Sequence, residues 1–456
     1  MSAPAVPASR SRTPQLLGLS LAYFMVLLDT TVLAVAERSI MTSLHTGVVG
    51  VGWATTIYTM ALAAALVLGG SLADRLGGHR VFVVGVAGFG AASLACACSP
   101  DLAALLVFRA LLGLFAAAII PSSLAVIAHL YPQPRSRGRA ISAWAAISGA
   151  AMAAGPVLGG WLIGLSGWRA VFVLNAPLAL VVLVLCRSRV ATARRDRAIS
   201  WLPHLGLAAT LATATLAITR AGQRSWPQTV LFGLIALALA YGTALVDRAA
   251  AAPLIPGPLR RNRPVWTAFG WAAAVNYALT TVIFSIPLLL SASPTRTGIV
   301  LLPMTLLVAV NPLLTGRLAA GYGPVVPIRL GFAAFPVGLC LAAAAVTGDH
   351  AVLLGVGLLL CGLGVSWTLP ALVGYAVENA GPDAAGAVGG ILNATRQIGA
   401  TVAAASAAAI LTPRTPAVPF LIAAAVCLLG LASAMARNRT RARQRAPEAP
   451  AERGSR

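Results

Sequence analysis

GLFAAAIIP at residues 113–121 and GLGVSWTLP at residues 362–370 set a glycine and a proline at the same spacing, 249 residues apart. Other landmarks follow in the same order. GSLADRLG (70–77) has a faded counterpart in GRLAAGYG (316–323), displaced by 246. Arg137-Gly138 precedes one apolar run as Ala385-Gly386 precedes another, displaced by 248. Gly and Ala are abundant here, so each pairing alone is weak. Their agreement in order and displacement predicts a membrane bundle duplicated in the same direction, with a binding site at the interface of the copies.

Composition requires a membrane. The 456 residues are 59% hydrophobic and 10% charged, against roughly 25% charged in soluble domains. Most of such a chain cannot face water. The net charge of +22 comes from 33 basic residues, all of them Arg. They are dealt out between apolar runs and not gathered on a soluble domain, which excludes a nucleic-acid partner. The six cysteines lie in or beside apolar runs, and Cys96-Ala97-Cys98 is too close for ordinary metal-ligand spacing, so they read as packing residues. No cleavable signal is evident at residues 1–14.

A helix crossing the hydrocarbon needs ~20 apolar residues. Runs of that length number fourteen, arranged as six, two and six. A tail (1–14) precedes the first six-helix bundle (15–187). A linker (188–263) carries two inserted spans (201–220 and 226–246), a second bundle (264–436) follows, and an Arg-rich tail (437–456) ends the chain. With the N-terminus inside, 25 Arg fall on inner segments, six on outer loops, and Arg109 and Arg396 inside spans. That asymmetry satisfies the positive-inside rule and puts both termini in the cytoplasm. Omitting one inserted helix would invert the second bundle; a twelve-span threading with the pair outside the membrane keeps the orientation. The Arg-rich tail reads as an anchor on anionic lipid.

Six motifs carry a resemblance. GGSLADRLGGHR (69–80) is similar to the loop signature between the second and third helices of the major facilitator superfamily, and FRALLGLFAAAIIP (108–121) to its fourth-helix signature. AISGAAMAAGPVLGG (146–160) resembles the fifth-helix motif of exporters that work as antiporters. LLDTTVLAVA (27–36), GWRAVFVLNAP (167–177) and GGILNATRQIG (389–399) resemble the fourteen-span drug:proton antiporter branch. The resemblance implies an all-α integral membrane protein of the major facilitator fold, with 14 transmembrane helices. It also implies a monomer in a bacterial cytoplasmic membrane, exporting hydrophobic or amphiphilic drugs or antibiotics by alternating access. Protons are the coupling partner, and the proton gradient supplies the energy with no cofactor and no metal. An importer or metabolite exchanger of the same fold, or a non-transporting sensor, is the alternative. An enzyme or an ATP-driven pump would need a Walker-type loop, a His-Glu-x-x-His helix or paired carboxylates, and the sequence holds none.

The chain departs from the branch pattern at several positions. Ala34 stands where Asn is usual, Glu37-Arg38 where an apolar residue and Pro are usual, Leu112 where Gln is common and Phe115 where Gly is common. The second-half loop has Ala320 and Gly321 where the acidic and basic positions fall.

The candidate site residues follow from charge and depth. Asp29 is the deep carboxyl of the first half, seven residues from Ala36, hence ~10 Å below the outer end. Arg109 lies seven residues into its span from Leu102, at the same depth. The resemblance puts both helices on the central cavity. Opposite charges there attract strongly, and a buried charge in a span marks a functional site by default. The pair is read as the proton-coupling site; a static ion pair fixing the packing is the alternative. Glu378, near the inner end of the twelfth span, is either a second proton or cation site or an interfacial carboxylate. Gly70, Asp74, Arg75, Gly77 and Arg80 form the expected cytoplasmic gate, the glycines allowing close approach and a sharp turn. Gly149, Gly155, Pro156, Gly159 and Gly160 form the antiporter motif, a kinked helix with a smooth packing face. Trp53, Tyr58, Trp271 and Tyr277 either stack on a planar substrate or anchor in the interface. Asn393 and Arg396 either line the cavity or cap a helix.

Overall fold

The computed structural model describes residues 12–188, 190, 200–251, 253–255, 257–290, 294–348, 350–380, 385–412 and 414–445. Among them there are helices and no strands. The first half contains α1 (Arg12–Ser43), α2 (Val48–Leu76), α3 (Gly78–Ala97), α4 (Leu102–Leu130), α5 (Pro134–Ser166), α6 (Arg169–Val173) and α7 (Asn175–Leu185). Then come α8 (Trp201–Gly222), α9 (Trp226–Ala249) and the short α10 (Gly257–Arg260). The second half contains α11 (Arg263–Leu289), α12 (Pro294–Val310), α13 (Pro312–Tyr322), α14 (Val325–Gly348), α15 (Ala351–Ala380), α16 (Ala385–Ile410) and α17 (Val418–Arg445). Ten of the described helices are long and apolar enough to cross a membrane. This is an integral, multi-pass membrane fold.

Local chemistry sets the boundaries. Asp101 caps α4 by accepting from the Ala104 N–H at 2.8 Å, and Asn262 caps α11 by accepting from the Val265 N–H at 3.2 Å. Proline opens α5, α9, α11 and α13, where its missing N–H costs nothing. Two spans read as continuous in the sequence are jointed. Pro177 has no N–H to give Val173, and the helix divides at Leu174 into α6 and α7. Pro312 has none for Val308, and the helix divides at Asn311 into α12 and α13. The Asn311 amide is held there by the Ser366 hydroxyl at 2.7 Å.

The duplication is visible in backbone contacts. Gly77 and Gly323 turn the chain with φ of 96° and 79°, a region only glycine enters freely. Gly113 of α4 lies against the Tyr58 carbonyl of α2, and Gly362 of α15 lies against the Met304 carbonyl of α12. Gly85 of α3 meets Ile119 of α4 as Gly331 of α14 meets Thr368 of α15. Each half builds its own apolar core, one around Phe82, Phe89 and Phe172, the other around Phe269, Phe332 and Phe335. The halves meet along two seams, α2 against α16 and α5 against α12. These seams exchange under the repeat.

The α8–α9 hairpin lies over one seam only. Its helix α8 packs on both α2 and α16, with Gly222 against Ala409, while α9 touches α8 and leaves Leu234, Leu237 and Tyr241 outward. Outward apolar side chains recur on other helices, at Val84, Val107, Leu180 and Leu429. In hydrocarbon such a surface is solvated by lipid tails, and the helices satisfy their own backbone groups.

Gly113→Leu and Gly362→Leu should each lower the thermal unfolding temperature in detergent, by the ~1–3 kcal/mol typical of overpacking. Gly374→Leu, where no described neighbour lies within 4 Å, should leave it unchanged.

Candidate functional site

Asp29 of α1 and Arg109 of α4 meet in the first half. The Arg109 Nη1 donates to Asp29 Oδ2 at 2.5 Å, and its Nε donates to the Ala54 carbonyl of α2 at 3.0 Å. The guanidinium carbon stands 4.4 Å above the Tyr58 ring, a cation–π contact that replaces part of the lost hydration. The Tyr58 hydroxyl donates to the Val26 carbonyl of α1 at 3.4 Å. Both charged side chains are about 1% exposed. Three helices are thus tied by one cation.

The carboxylate is only half satisfied. Among the described residues, Asp29 Oδ1 has no hydrogen-bond partner, nor has Asn175 Oδ1. The Asn175 amide donates to Ser93 Oγ at 3.0 Å, which donates to the Phe172 carbonyl at 2.8 Å. Asn175 opens α7 directly after the joint, so the break at Leu174 brings an amide into the bundle. A carboxylate bonded through one oxygen can take a proton on the other without first losing its arginine. Protonation would then weaken the Coulomb term that draws α1 to α4.

The setting of the pair corrects one expectation. Helix α4 packs mainly on α2, α3, α1 and α5, all of the first half. Asp29 and Arg109 therefore lie in the interior of the first bundle, not on an open wall between the halves. Tyr58 is buried beneath Arg109 and is no stacking surface. Trp271 is likewise a core residue of the second half: its Nε1 donates to Ser433 Oγ at 2.7 Å, and its ring packs on Tyr375 and Phe332. Trp53 is half-buried beside Thr215 and Thr219 of α8, at the covered seam.

A second polar group lies between α11 and α16. Arg396 donates to Asn276 Oδ1 at 3.2 Å and to Asn393 Oδ1 at 3.1 Å. It has no carboxylate partner among the described residues. Tyr277 and Ser406 share a hydrogen bond of 3.0 Å nearby on the same two helices. Thr401 of α16 donates to Thr59 of α2 at 2.9 Å across the seam. Glu378 is exposed near the end of α15 and stands apart from both groups.

The antiporter-like motif packs on two sides. Gly155 and Gly159 seat Thr31 and Val32 of α1, while Pro156 lies against Gly298 of α12 and the Gly160 carbonyl accepts from Thr295 at 3.0 Å. Gly149, expected to pack on a partner, has no described atom within 4 Å of where its Cβ would stand. In the loop motif the tight approach belongs to Gly69, which meets the Ala117 carbonyl, while Gly70 has ordinary clearance from Pro121 at 3.7 Å. Arg75 and Arg80 are exposed, Gly77 makes the turn, and the Asp74 side chain lies outside the described residues.

Several polar groups were missed in the sequence: Asn175, Asn276, Ser406, and the pair Thr59 and Thr401. Asn276 carried a signal, an amide inside a long apolar span. The threonines carried none, because hydroxyls that bond their own helix look the same in sequence.

The model of the Major Facilitator Superfamily matches residues 19–404. The chain belongs to that superfamily. It is 31% identical over 417 residues to the tetracenomycin C resistance and export protein of Streptomyces glaucescens, covering 88% of this chain and 76% of that one. It is 30% identical over 431 residues to the methylenomycin A resistance protein of Streptomyces coelicolor, covering 91% and 90%. Its fold is similar to a bacterial homologue of the human lysosomal transporter Spinster, with a TM-score of 0.69, 16% identity, and 97% and 100% of the two chains covered. This major facilitator protein is a transporter by family and fold, and its relatives are drug and antibiotic resistance proteins.

Removing one member of the buried pair should cost about 3–5 kcal/mol, since it strands the other charge. Arg109→Gln should therefore unfold at markedly lower temperature than Asp29→Asn/Arg109→Gln, measured by thermal unfolding in detergent.

Proposed function

We propose that this chain is a proton-coupled antiporter that exports hydrophobic or amphiphilic compounds, antibiotics among them, by alternating access. The observation that carries the reading is the buried Asp29–Arg109 pair whose second carboxylate oxygen is unbonded. The names of the relatives, a resistance and export protein and a resistance protein, support the substrate class and the direction.

The pair communicates with the seam through contacts already described. Asp29 holds α1 to α4 and α2; α1 seats on α5 through Thr31 and Val32; α5 seats on α12 through Pro156 and Gly160. Loading a proton on Asp29 loosens the first contact and lets α1 shift against α5. Because α5 is also half of a seam, that shift reaches the opposite bundle. Substrate and proton then favour different arrangements, and that difference is the coupling.

The same reading takes fourteen spans as six, two and six, with bundles at 15–187 and 264–436. It puts both termini on the cytoplasmic face of a bacterial plasma membrane and the Arg-rich tail on anionic lipid. The protein acts as a monomer, with the proton gradient as its energy source and no cofactor. Arg396, Asn276 and Tyr277, half-buried or buried between α11 and α16, supply polar contacts for the cargo.

Expression in a drug-sensitive bacterial host should raise the inhibitory concentration of at least one amphiphilic antibiotic, and an uncoupler should abolish the gain. In inverted vesicles, Asp29→Asn should bind cargo yet lose proton-driven uptake. Undiminished proton-driven transport in that variant would remove Asp29 from the mechanism.

A further inference from the structure

Glu37 and Arg38 lie at the end of α1 opposite to its start, and the coupling mechanism uses neither. The Arg38 Nη2 donates to the Leu288 carbonyl at 2.6 Å and its Nε to the Pro287 carbonyl at 3.2 Å. Both carbonyls are in the last turn of α11, where acceptors lack helical partners and the helix dipole favours a cation. Pro287 lies one repeat length, 249 residues, beyond Arg38. The contact therefore joins equivalent helices on the axis that relates the halves. Other hydrogen bonds and close contacts between the halves lie toward this same face: Thr295 with Gly160, Gly52 with Ala408, Gly298 with Pro156. The structure is closed here.

Glu37 is buried, about 1% exposed, and neither of its carboxyl oxygens has a hydrogen-bond partner among the described residues. The charged and titratable groups on the surrounding elements are engaged elsewhere or turned outward. Arg109 is held by Asp29, Arg169 by the Ser99 carbonyl and Ser43, and Arg38 by α11. Tyr58 donates to Val26 and Tyr277 pairs with Ser406, Asp101 caps α4, and His45 and Arg296 are exposed. An ionised carboxylate without a donor or counter-ion is very costly in a protein interior.

We propose that Glu37 is a second protonation site, loaded when this face shuts, and that Arg38 is the latch of the same gate. When shut, Glu37 is neutral and Arg38 caps α11. As α1 and α11 part, water reaches Glu37, it releases its proton to the outside, and Arg38 leaves the helix end. Closure thus takes up one proton at the gate, separately from Asp29. This deepens the antiport reading and rests on it for its physiological meaning, but the gate itself is measurable without cargo.

The test is a distance measurement in lipid nanodiscs. Spin labels are placed through Thr42→Cys and Arg414→Cys, both exposed on this face, in a chain whose exposed Cys98 and Cys340 are replaced by Ala. An Asp29→Asn background silences the other site. Lowering pH should raise the closed population along a one-proton curve. Glu37→Gln should hold the gate closed and lose the pH response, while Arg38→Ala should lower the closed population at every pH and keep the response. A pH response in Glu37→Gln equal to its parent, with both eluting as folded protein, would overturn the proposal. So would a closed population unchanged in Arg38→Ala. If the gate responds as expected but vesicles show no proton-driven export, the antiport reading fails and the gate stands.

Discussion

A polar group inside a bilayer has no water to fall back on, and much of this molecule's architecture answers to that single condition. Serine and threonine hydroxyls along the spans donate to carbonyls a turn back, as Ser20, Thr305 and Thr368 do. Arg109, which cannot be satisfied by one helix, recruits three. Its carboxylate, carbonyl and aromatic partners come from α1 and α2, so the cation is as much a fastener as a charge. The groups left without a partner stand out for the same reason. Among the described residues, Asp29 Oδ1, Asn175 Oδ1 and both oxygens of Glu37 are costly omissions, the carboxyl oxygens above all.

The second constraint is distance between backbones. Lipid tails are as apolar as leucine, so burial alone cannot drive helices together, and close packing has to. Glycine supplies it at Gly69, Gly85, Gly113, Gly155 and Gly362, where one helix lies on another's carbonyls or side-chain stems. The two halves use this device at equivalent places but differ where chemistry is concerned. The positions one repeat beyond Asp29 and Arg109 are Ala278 and Leu358, both fully buried. One bundle carries the ion pair and its counterpart is plain packing.

Much of the fold was legible because membrane sequence is read through length, hydropathy and repeat, three signals that survive without contacts. The turn at Gly77 was announced by its motif, and its twin at Gly323 by displacement alone. The pairing of Asp29 with Arg109 followed from equal depth. What depth could not tell was azimuth. Helices α1 and α4 each turn several faces to several neighbours, and only packing decides that this pair faces the bundle interior. The same ambiguity hid Trp271, whose hydrogen bond to Ser433 makes it a core residue, and Arg38, whose partners are backbone carbonyls that any sequence possesses. Glu37 and Arg38 were noticed as departures from a pattern, which marks a place without giving its purpose.

The hairpin formed by α8 and α9 breaks an equality that the duplication would otherwise enforce. Of the two seams, α2–α16 is roofed by α8, whereas no described helix covers α5–α12, where Val157, Leu158 and Trp161 of α5 turn outward. In the proposed alternating-access cycle, rocking about these lines would shear protein against protein on one flank and protein against acyl chains on the other. The molecule is consequently lopsided in its coupling to the surrounding lipid. At the seams, acyl chains bear on the α5–α12 line, while α8 stands between them and the α2–α16 line.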